Sequence, residues 1–495
     1  MVDIQRDRQG LLIDGEWTNT EETFESINPA TGDSIGTVDN AGEDDVEKAV
    51  EAARSSLDDW GQKSVEERAE VVGNAVDLLY EKYGEEGEQT ELKQLIQTEV
   101  GRRFIEADIE VVETADMLNY YVEKSPEVLK SEELELNEEL WPTKKSRVVY
   151  EPIGVVGVIK PWNYPLELPI WSIGAALMAG NTVVFKPSEN SSFVGVELGK
   201  IFQEAGLLDG VLNVVTGDHN TGKALANADV DMISFTGSQR AGKDIAQKCG
   251  KDLKEYSLEL GGNDPAVVAP DVDLELAANG LVWGGYCNIG QVCVRPKRVF
   301  IHDEIYDELV ERILEKTQSL EKDRDFGPLI SEDQLETVKE QVSRTLDQGA
   351  TLLYGGNEIE DTEGYYFEPT ILEDISPGMV IFENECFGPV MPLVRVNSIE
   401  EGVELGNSTE YGLGASIWTG ERETGSELAE KFEAGMVWVN DVNVAFPQAP
   451  WGGIKSSGSG VELGRWGIEE YANIKHINIE TSESDTRDWW FPYGE

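Results

Sequence analysis

The chain has 495 residues, 40% of them hydrophobic, with 96 acidic against 40 basic side chains and a formal net charge of −56. That apolar content supports packed cores, and a length beyond the ~250–300 residues at which one core stops growing implies more than one domain. An acidic field of this size excludes nucleic acid and anionic membrane as partners.

In chain order, Met1 to Gln9 is charged and shows no signal-peptide apolar region, and no window reaches the ~18 apolar residues of a membrane span, so a cytoplasmic protein is expected. Leu11 to Trp17 reads as a hairpin turned by Asp14-Gly15. Val46, Ala49, Val50, Ala53, Leu57 and Trp60 recur at helical spacing and predict an amphipathic helix over 43–60. Ser64 with Glu67 forms a capping-box signature for the next helix. Residues 131–150 are Glu-rich, then β-prone over 146–150.

From Ile153 the pattern alternates. Apolar runs at 153–159, 182–185, 211–215, 232–235 and 256–260 are separated by helical segments at 166–178, 193–204, 221–226 and 239–249. Continuous apolar strands between helices predict a parallel sheet covered on both faces. A second alternating series runs from about Ala266 to Asn440, and Lys475 to Ile479 is a further short strand with no local partner. The closing Trp489-Trp490-Phe491-Pro492-Tyr493 is too aromatic for a solvated end.

The acidic residues recur on nearly every polar face rather than in one tail. An ordinary acidic surface would explain this in part. Their even spread favours a protein built for molar salt, where screening over ~3 Å at 1 M removes the self-repulsion. The four cysteines, Cys249, Cys287, Cys293 and Cys386, are too scattered for a disulfide framework and do not cluster with the three histidines, so no metal site is expected.

Residues 237–243 match the first seven positions of a phosphate loop, but the Ser or Thr that would hold Mg²⁺ is replaced by Asp244, whose carboxylate opposes a triphosphate. The same strand, glycine turn and helix N-terminus suit the pyrophosphate of a dinucleotide instead. Lys186 closes a predicted parallel strand, where side chains face the ligand crevice. Asn163 in Pro161-Trp162-Asn163-Tyr164-Pro165, Glu259 in Glu-Leu-Gly-Gly, and Cys293 closing Asn-Ile-Gly-Gln-Val-Cys provide an amide, a carboxylate and a thiol. Those are an oxyanion donor, a base for water and a nucleophile, the parts of an acyl-transfer site.

In this order and context these motifs resemble the aldehyde dehydrogenase superfamily, over about Ile13 to Ile479. The resemblance implies an α/β fold with a parallel-sheet dinucleotide-binding domain (1–128, 152–260 and 449–471), an α/β catalytic domain (261–448) and a β oligomerisation arm (129–151 and 472–495). It implies a homodimer or homotetramer. The implied activity is NAD-dependent oxidation of an aldehyde to the acid through a thiohemiacetal and thioester on Cys293, with Asn163 and the Cys293 N–H facing the oxyanion and Glu259 activating water. Trp162, Lys186, Ser188, Glu189, Gly237, Ser238, Glu385 and Phe387 map onto cofactor-binding positions. Glu189, on the adenosine ribose, favours NAD over NADP, although NADP remains open. Tyr164, Glu167, Trp171, Arg295 and Phe446 map onto the substrate tunnel.

Rival readings are a CoA-acylating or phosphate-dependent relative, which would not need Glu259, a succinate- or 2-oxoglutarate-semialdehyde dehydrogenase using NADP, a nucleotide triphosphatase, and a non-enzymatic structural protein on this fold. Ser172 stands where many members carry Lys, and Arg465 where many carry an acid after Glu-Leu-Gly. Both put the route by which Glu259 sheds its proton in question. An ionised Glu167 in a tunnel requires a partner: a cationic substrate, with Trp171 adding a cation–π contact, or Arg295. The internal Arg295 pair is the favoured expectation, because the free enzyme must also tolerate the charge.

Overall fold

A computed structural model describes residues 5–84, 87–360, 362–487 and 489–491. Met1–Ile4, Pro492 and Tyr493, part of the two terminal segments noted above, lie outside them.

The first alternating series forms an eight-stranded sheet. Its five parallel central strands run in the spatial order Glu255–Glu259, Met232–Thr236, Val155–Ile159, Thr182–Lys186, Leu212–Val214. Strand order therefore reverses between Val155–Ile159 and Met232–Thr236, the switch point where such sheets leave a ligand crevice at their carboxyl ends. Helices Glu167–Ala179, Ser192–Glu204, His219–Asn227 and Gln239–Asp252 connect these strands. The central strands Val155–Ile159 and Thr182–Lys186 are buried throughout, as their unbroken apolar sequences require. The Leu11–Ile13/Glu16–Thr18 hairpin pairs antiparallel onto Val214, with Asp14 and Gly15 both at positive φ in its turn. The capping box of Ser64 and Glu67 is formed in both directions.

A second, seven-stranded sheet covers the series from Pro265 to Val439. It is parallel apart from the edge strand Thr351–Tyr354. The chain then returns to the first sheet, where Gly458–Ser459 pairs with Leu258 and Glu259. Lys475–Ile479, which has no partner nearby in the sequence, finds one far along the chain: Ala472–Glu480 pairs antiparallel with Lys144–Pro152, which pairs with Glu132–Leu134. That pairing joins segments over 300 residues apart, which local pattern cannot register. On this small sheet Leu134, Ile474 and Ile479 are exposed, as is Trp141 in the connection between its first two strands, and Trp489 packs edge-on against Trp141 at 6.3 Å between ring centroids. Among the described residues no helix is long and apolar enough to cross a membrane, and no cluster of His, Cys, Asp or Glu is suited to hold a metal ion.

Candidate active site

Three adjoining cavities run through this region, and Cys293 lines two of them. The largest, of about 640 Å³, opens at the switch point between Ile159 and Phe235 and is lined by Lys186, Ser188, Glu189, Gly237, Ser238 and the first turn of the helix Gln239–Asp252. Ser238 caps that helix, its hydroxyl accepting from the Ala241 N–H at 3.3 Å. Lys186 is buried, and desolvation lowers its pKa against the pull of Glu189, whose carboxylate lies 3.4 Å away and is partly exposed to the cleft. A cation and a carboxylate at a strand end, beside a capped helix N-terminus in a cleft of this size, suit the ribose and pyrophosphate of a dinucleotide.

This cleft shares Trp162, Thr236, Gly237 and Ser238 with a second cavity of about 280 Å³ that holds Asn163, Glu259, Cys293, Glu385, Phe387 and Glu462. Trp162 and Phe387 meet edge to face at 5.7 Å across it. Beyond Cys293 a third, small cavity of about 60 Å³ is walled by Glu113, Tyr164, Glu167, Trp171, Asn443 and Trp451.

The turn that delivers Cys293 is strained. Asn288 and Ile289 sit at φ 48° and 50°, with Gly290 at 74°. A left-handed β-branched residue persists only where its surroundings over-determine it. Here the Asn288 N–H donates to Glu106 Oε1 at 2.6 Å, and its side-chain amide donates to the Asn163 carbonyl at 3.0 Å. A side chain on Gly290 would strike the Gly388 carbonyl at 2.3 Å. The nucleophile loop is thereby tied to the loop that carries Asn163.

Asn163 Nδ2 donates one hydrogen to the Gln291 carbonyl at 3.1 Å, which leaves its second hydrogen for a ligand. The Cys293 N–H meets no acceptor among the described residues. Burial pushes the Cys293 thiol up to about 12, with Lys297 pulling it down and Glu385, Asp264 and Glu259 pushing it further up.

Glu259 ends the strand Glu255–Glu259 and is 4% exposed, its carboxylate facing the backbone N–H of Gly453. Burial first, then the charge of Glu462, raises it well above the usual carboxylate range, against the pull of Lys160. The neighbouring glycines make room for other groups: a side chain on Gly261 would meet Glu385 Oε2 at 2.0 Å, and one on Gly262 the Cys293 carbonyl at 2.7 Å.

Several sequence assignments change. Arg295 is no tunnel residue: its buried guanidinium donates to the carbonyls of Pro296, Val390 and Cys386 on the far side of the nucleophile loop. It therefore cannot pair with Glu167 or grip a distal carboxylate. Phe446 is 53% exposed and does not line the cavity, which its neighbour Ala445 does. Arg465 is also exposed, pairing with Glu469 at 3.9 Å away from the site. The acid beside Glu259 is Glu462, inside the Glu-Leu-Gly motif rather than after it. Its Oε1 accepts from Lys160 Nζ at 2.6 Å and from Ser172 Oγ at 2.7 Å, while Lys160 also reaches Thr236 Oγ1 at 2.8 Å. The cation absent at Ser172 thus enters from the end of another strand. Its signal was a Lys directly after the apolar run 153–159.

Glu167 is buried, and burial followed by the carboxylates of Glu113 and Glu110 holds its pKa well above the ordinary range. The nearby cation Arg102 is already paired with Glu110 and lies 4.3 Å over the Tyr164 ring. Among the described residues neither Glu113 nor Glu167 has an ion-pair partner. Trp171 and Trp451, ring centroids 5.2 Å apart, complete the wall. Glu113 and Trp451 escaped sequence analysis because they stand far along the chain from every motif.

A sequence profile of the aldehyde dehydrogenase family matches residues 17–477. The chain is 37% identical over 498 residues to aminoaldehyde dehydrogenase 1, peroxisomal, of Pisum sativum, covering 97% of each chain. It is 36% identical over 502 residues to betaine aldehyde dehydrogenase of Bacillus subtilis (strain 168), covering 98% of this chain and 99% of that one. The crystal structure of an NAD-dependent aldehyde dehydrogenase from Sinorhizobium meliloti superposes with a TM-score of 0.93 at 35% identity, covering 99% of this chain and 97% of that one. With a thiol, a carboxylate and an amide converging where a dinucleotide-sized cleft meets a substrate-sized one, the chain belongs to the aldehyde dehydrogenase family of oxidoreductases.

Proposed function

We propose that the protein uses NAD to oxidise an aldehyde bearing an amino or quaternary ammonium group to its carboxylic acid. The observation that carries the substrate class is the buried carboxylate of Glu167, which lines the tunnel without a cation, with the solvent-exposed Glu113 on the same wall. A buried unpaired carboxylate is costly, and a cationic substrate relieves that cost, with the indoles of Trp171 and Trp451 adding ~0.5–2 kcal/mol of cation–π attraction. The resemblance to aminoaldehyde and betaine aldehyde dehydrogenases supports this choice. An anionic semialdehyde finds no cation there, because Arg295 is turned away.

In the mechanism we infer, Cys293 Sγ adds to the aldehyde carbon, and the developing oxyanion is met by Asn163 Nδ2–H and the Cys293 N–H. Such a donor contributes ~3–4 kcal/mol. Lys186, Ser188 and Glu189 would hold the adenosine ribose, Gly237 and Ser238 the pyrophosphate, and Trp162, Glu385 and Phe387 the nicotinamide half. Bound there, NAD supplies the hydride acceptor. The thioester left on Cys293 is hydrolysed by water that gives its proton to Glu259, and the Glu462–Lys160 pair on the same cavity provides the next acceptor. A buried base for water favours hydrolysis over transfer to CoA.

The acid-rich surface we read as an adaptation to high salt, and the exposed apolar residues of the three-stranded sheet as a subunit contact of a homodimer or homotetramer.

The test compares kcat/KM for betaine aldehyde and for an uncharged aldehyde of similar size, in wild type and Glu167→Gln. The cationic substrate should lose about tenfold or more, and the neutral one should change little. The sign of the pH dependence follows from the raised pKa of Glu167. Binding a cation favours the ionised carboxylate and releases a proton, so the cationic-to-neutral ratio should rise with pH until that pKa is passed. A ratio unchanged by the substitution would overturn the assignment.

A further inference from the structure

Lys297 lies directly beneath the nucleophile, on the stretch that connects Cys293 to the strand Arg298–His302, and only 1% of its side chain is exposed. Its ammonium has three donors and meets three acceptors. It donates to the carbonyl of Val292 at 3.0 Å and to the carbonyl of Cys293, and it pairs with Glu385 Oε1 at 3.1 Å. The Lys297 N–H donates to the Asp264 carbonyl at 2.9 Å, which anchors its backbone to the loop that follows Glu259.

Two consequences follow from elementary geometry and charge. In a trans peptide the C=O and N–H point in opposite directions. Holding the Val292 carbonyl down therefore turns the Cys293 N–H away from Lys297, toward the cavity, where it is left without an acceptor. Second, Lys297 is the cation that opposes the acidic groups around Cys293, namely Glu385, Asp264 and Glu259.

We propose that Lys297 is a positioning residue for the nucleophile: its ammonium aims the Cys293 N–H at the oxyanion and supplies the positive charge that lets the Cys293 thiol ionise beside three carboxylates. Glu385 works against it, since it shares the ammonium and adds a negative charge of its own. Burial alone already pushes the thiol far up, so the balance between Lys297 and Glu385 sets how much thiolate is present for attack.

This inference rests on Cys293 as the nucleophile but not on which aldehyde is oxidised, so it is tested in the free enzyme without substrate. The rate at which iodoacetamide alkylates Cys293 is followed as a function of pH, with the modified peptide resolved by mass spectrometry so that Cys249, Cys287 and Cys386 do not contribute. Lys297→Met keeps the length of the side chain and removes the charge. It should move the alkylation profile to higher pH by about one unit or more, about tenfold slower at a fixed pH below the pKa, and Lys297→Arg should recover most of that loss. Glu385→Gln leaves Lys297 in place and removes an opposing carboxylate, so it should move the profile in the other direction. Because a merely structural lysine would not produce shifts of opposite sign, the pair separates charge from folding. If Lys297→Met does not fold, Glu385→Gln still decides: a profile unmoved or shifted to higher pH overturns the proposal. A folded Lys297→Met with the wild-type profile overturns it equally.

Discussion

The cleft on one side of Cys293 takes its walls from successive junctions between strands and helices: Ile159 to Trp162, Lys186 to Glu189, Phe235 to Ser238. The cavity on the other side takes them from Glu113 on an early helix, Tyr164 and the start of the helix Glu167–Ala179, the nucleophile loop, and residues between Asn443 and Trp451. The first kind of site is a property of a repeated unit, since every parallel strand of a doubly wound sheet ends at the same edge. The second is a property of how distant helices and loops pack together, and its charge is set by which cation each carboxylate finds. Cys293 borders the second side directly and lies outside the walls of the first, which makes the two sides separable by substitution.

The largest effect should come from Cys293→Ala. It should cost at least about a hundredfold in kcat, ~2.7 kcal/mol, while NAD binding, measured by fluorescence titration, stays within about twofold of wild type. Loss of cofactor binding as well would show that the two clefts are one functional unit. Glu259→Gln should spare acylation and cripple hydrolysis. A burst of about one NADH per site should then precede a stall, with an acyl adduct on Cys293 in the mass spectrum. In the wild type the base must be ionised, and burial and Glu462 raise its pKa, so hydrolysis should fall away as pH drops through that raised value. A slow linear trace with no adduct would assign Glu259 some other role.

A smaller effect is expected on the cofactor side. Glu189→Gln should narrow the preference for NAD over NADP in kcat/KM by several-fold, roughly 1 kcal/mol, because a carboxylate there opposes a 2′-phosphate. Equal efficiency with both cofactors in the wild type would remove Glu189 as the selector. The smallest effect belongs to neither cleft. Melting temperature should rise by a few degrees as KCl increases from ~0.1 to ~2 M, because screening relieves repulsion among the excess carboxylates. A flat or falling profile would leave the acidic surface without a stabilising role for salt.

Much of the cofactor side was legible along the chain. Lys186, Glu189, Gly237 and Ser238 each sit within a few residues of a strand end whose apolar run is visible in the sequence. Cys293, Glu259 and Asn163 were legible through their local motifs, and all three line one cavity. Arg295 misled because nearness in sequence to Cys293 is not nearness to the tunnel: two residues past a turn, its side chain leaves on the opposite side and is consumed by backbone carbonyls. Arg465 misled for a related reason, since the acid that matters lies three residues earlier and reaches inward to Lys160. Glu113 and Trp451 carry no local signature at all.

What the sequence determined by itself is whatever has a short period or a short motif: the two alternating series, the strand-end residues, the nucleophile and the base, and the acidic surface. Only the tertiary structure decided which charges are neutralised and which are left to a ligand. Arg102 is taken by Glu110, Lys160 by Glu462 and Lys297 by Glu385, while Glu113 and Glu167 keep no cation among the described residues. The physical reason is that Coulomb attraction and desolvation act through space at a few ångströms, and the pairs they select here come from segments up to some three hundred residues apart, as Lys160 and Glu462 do.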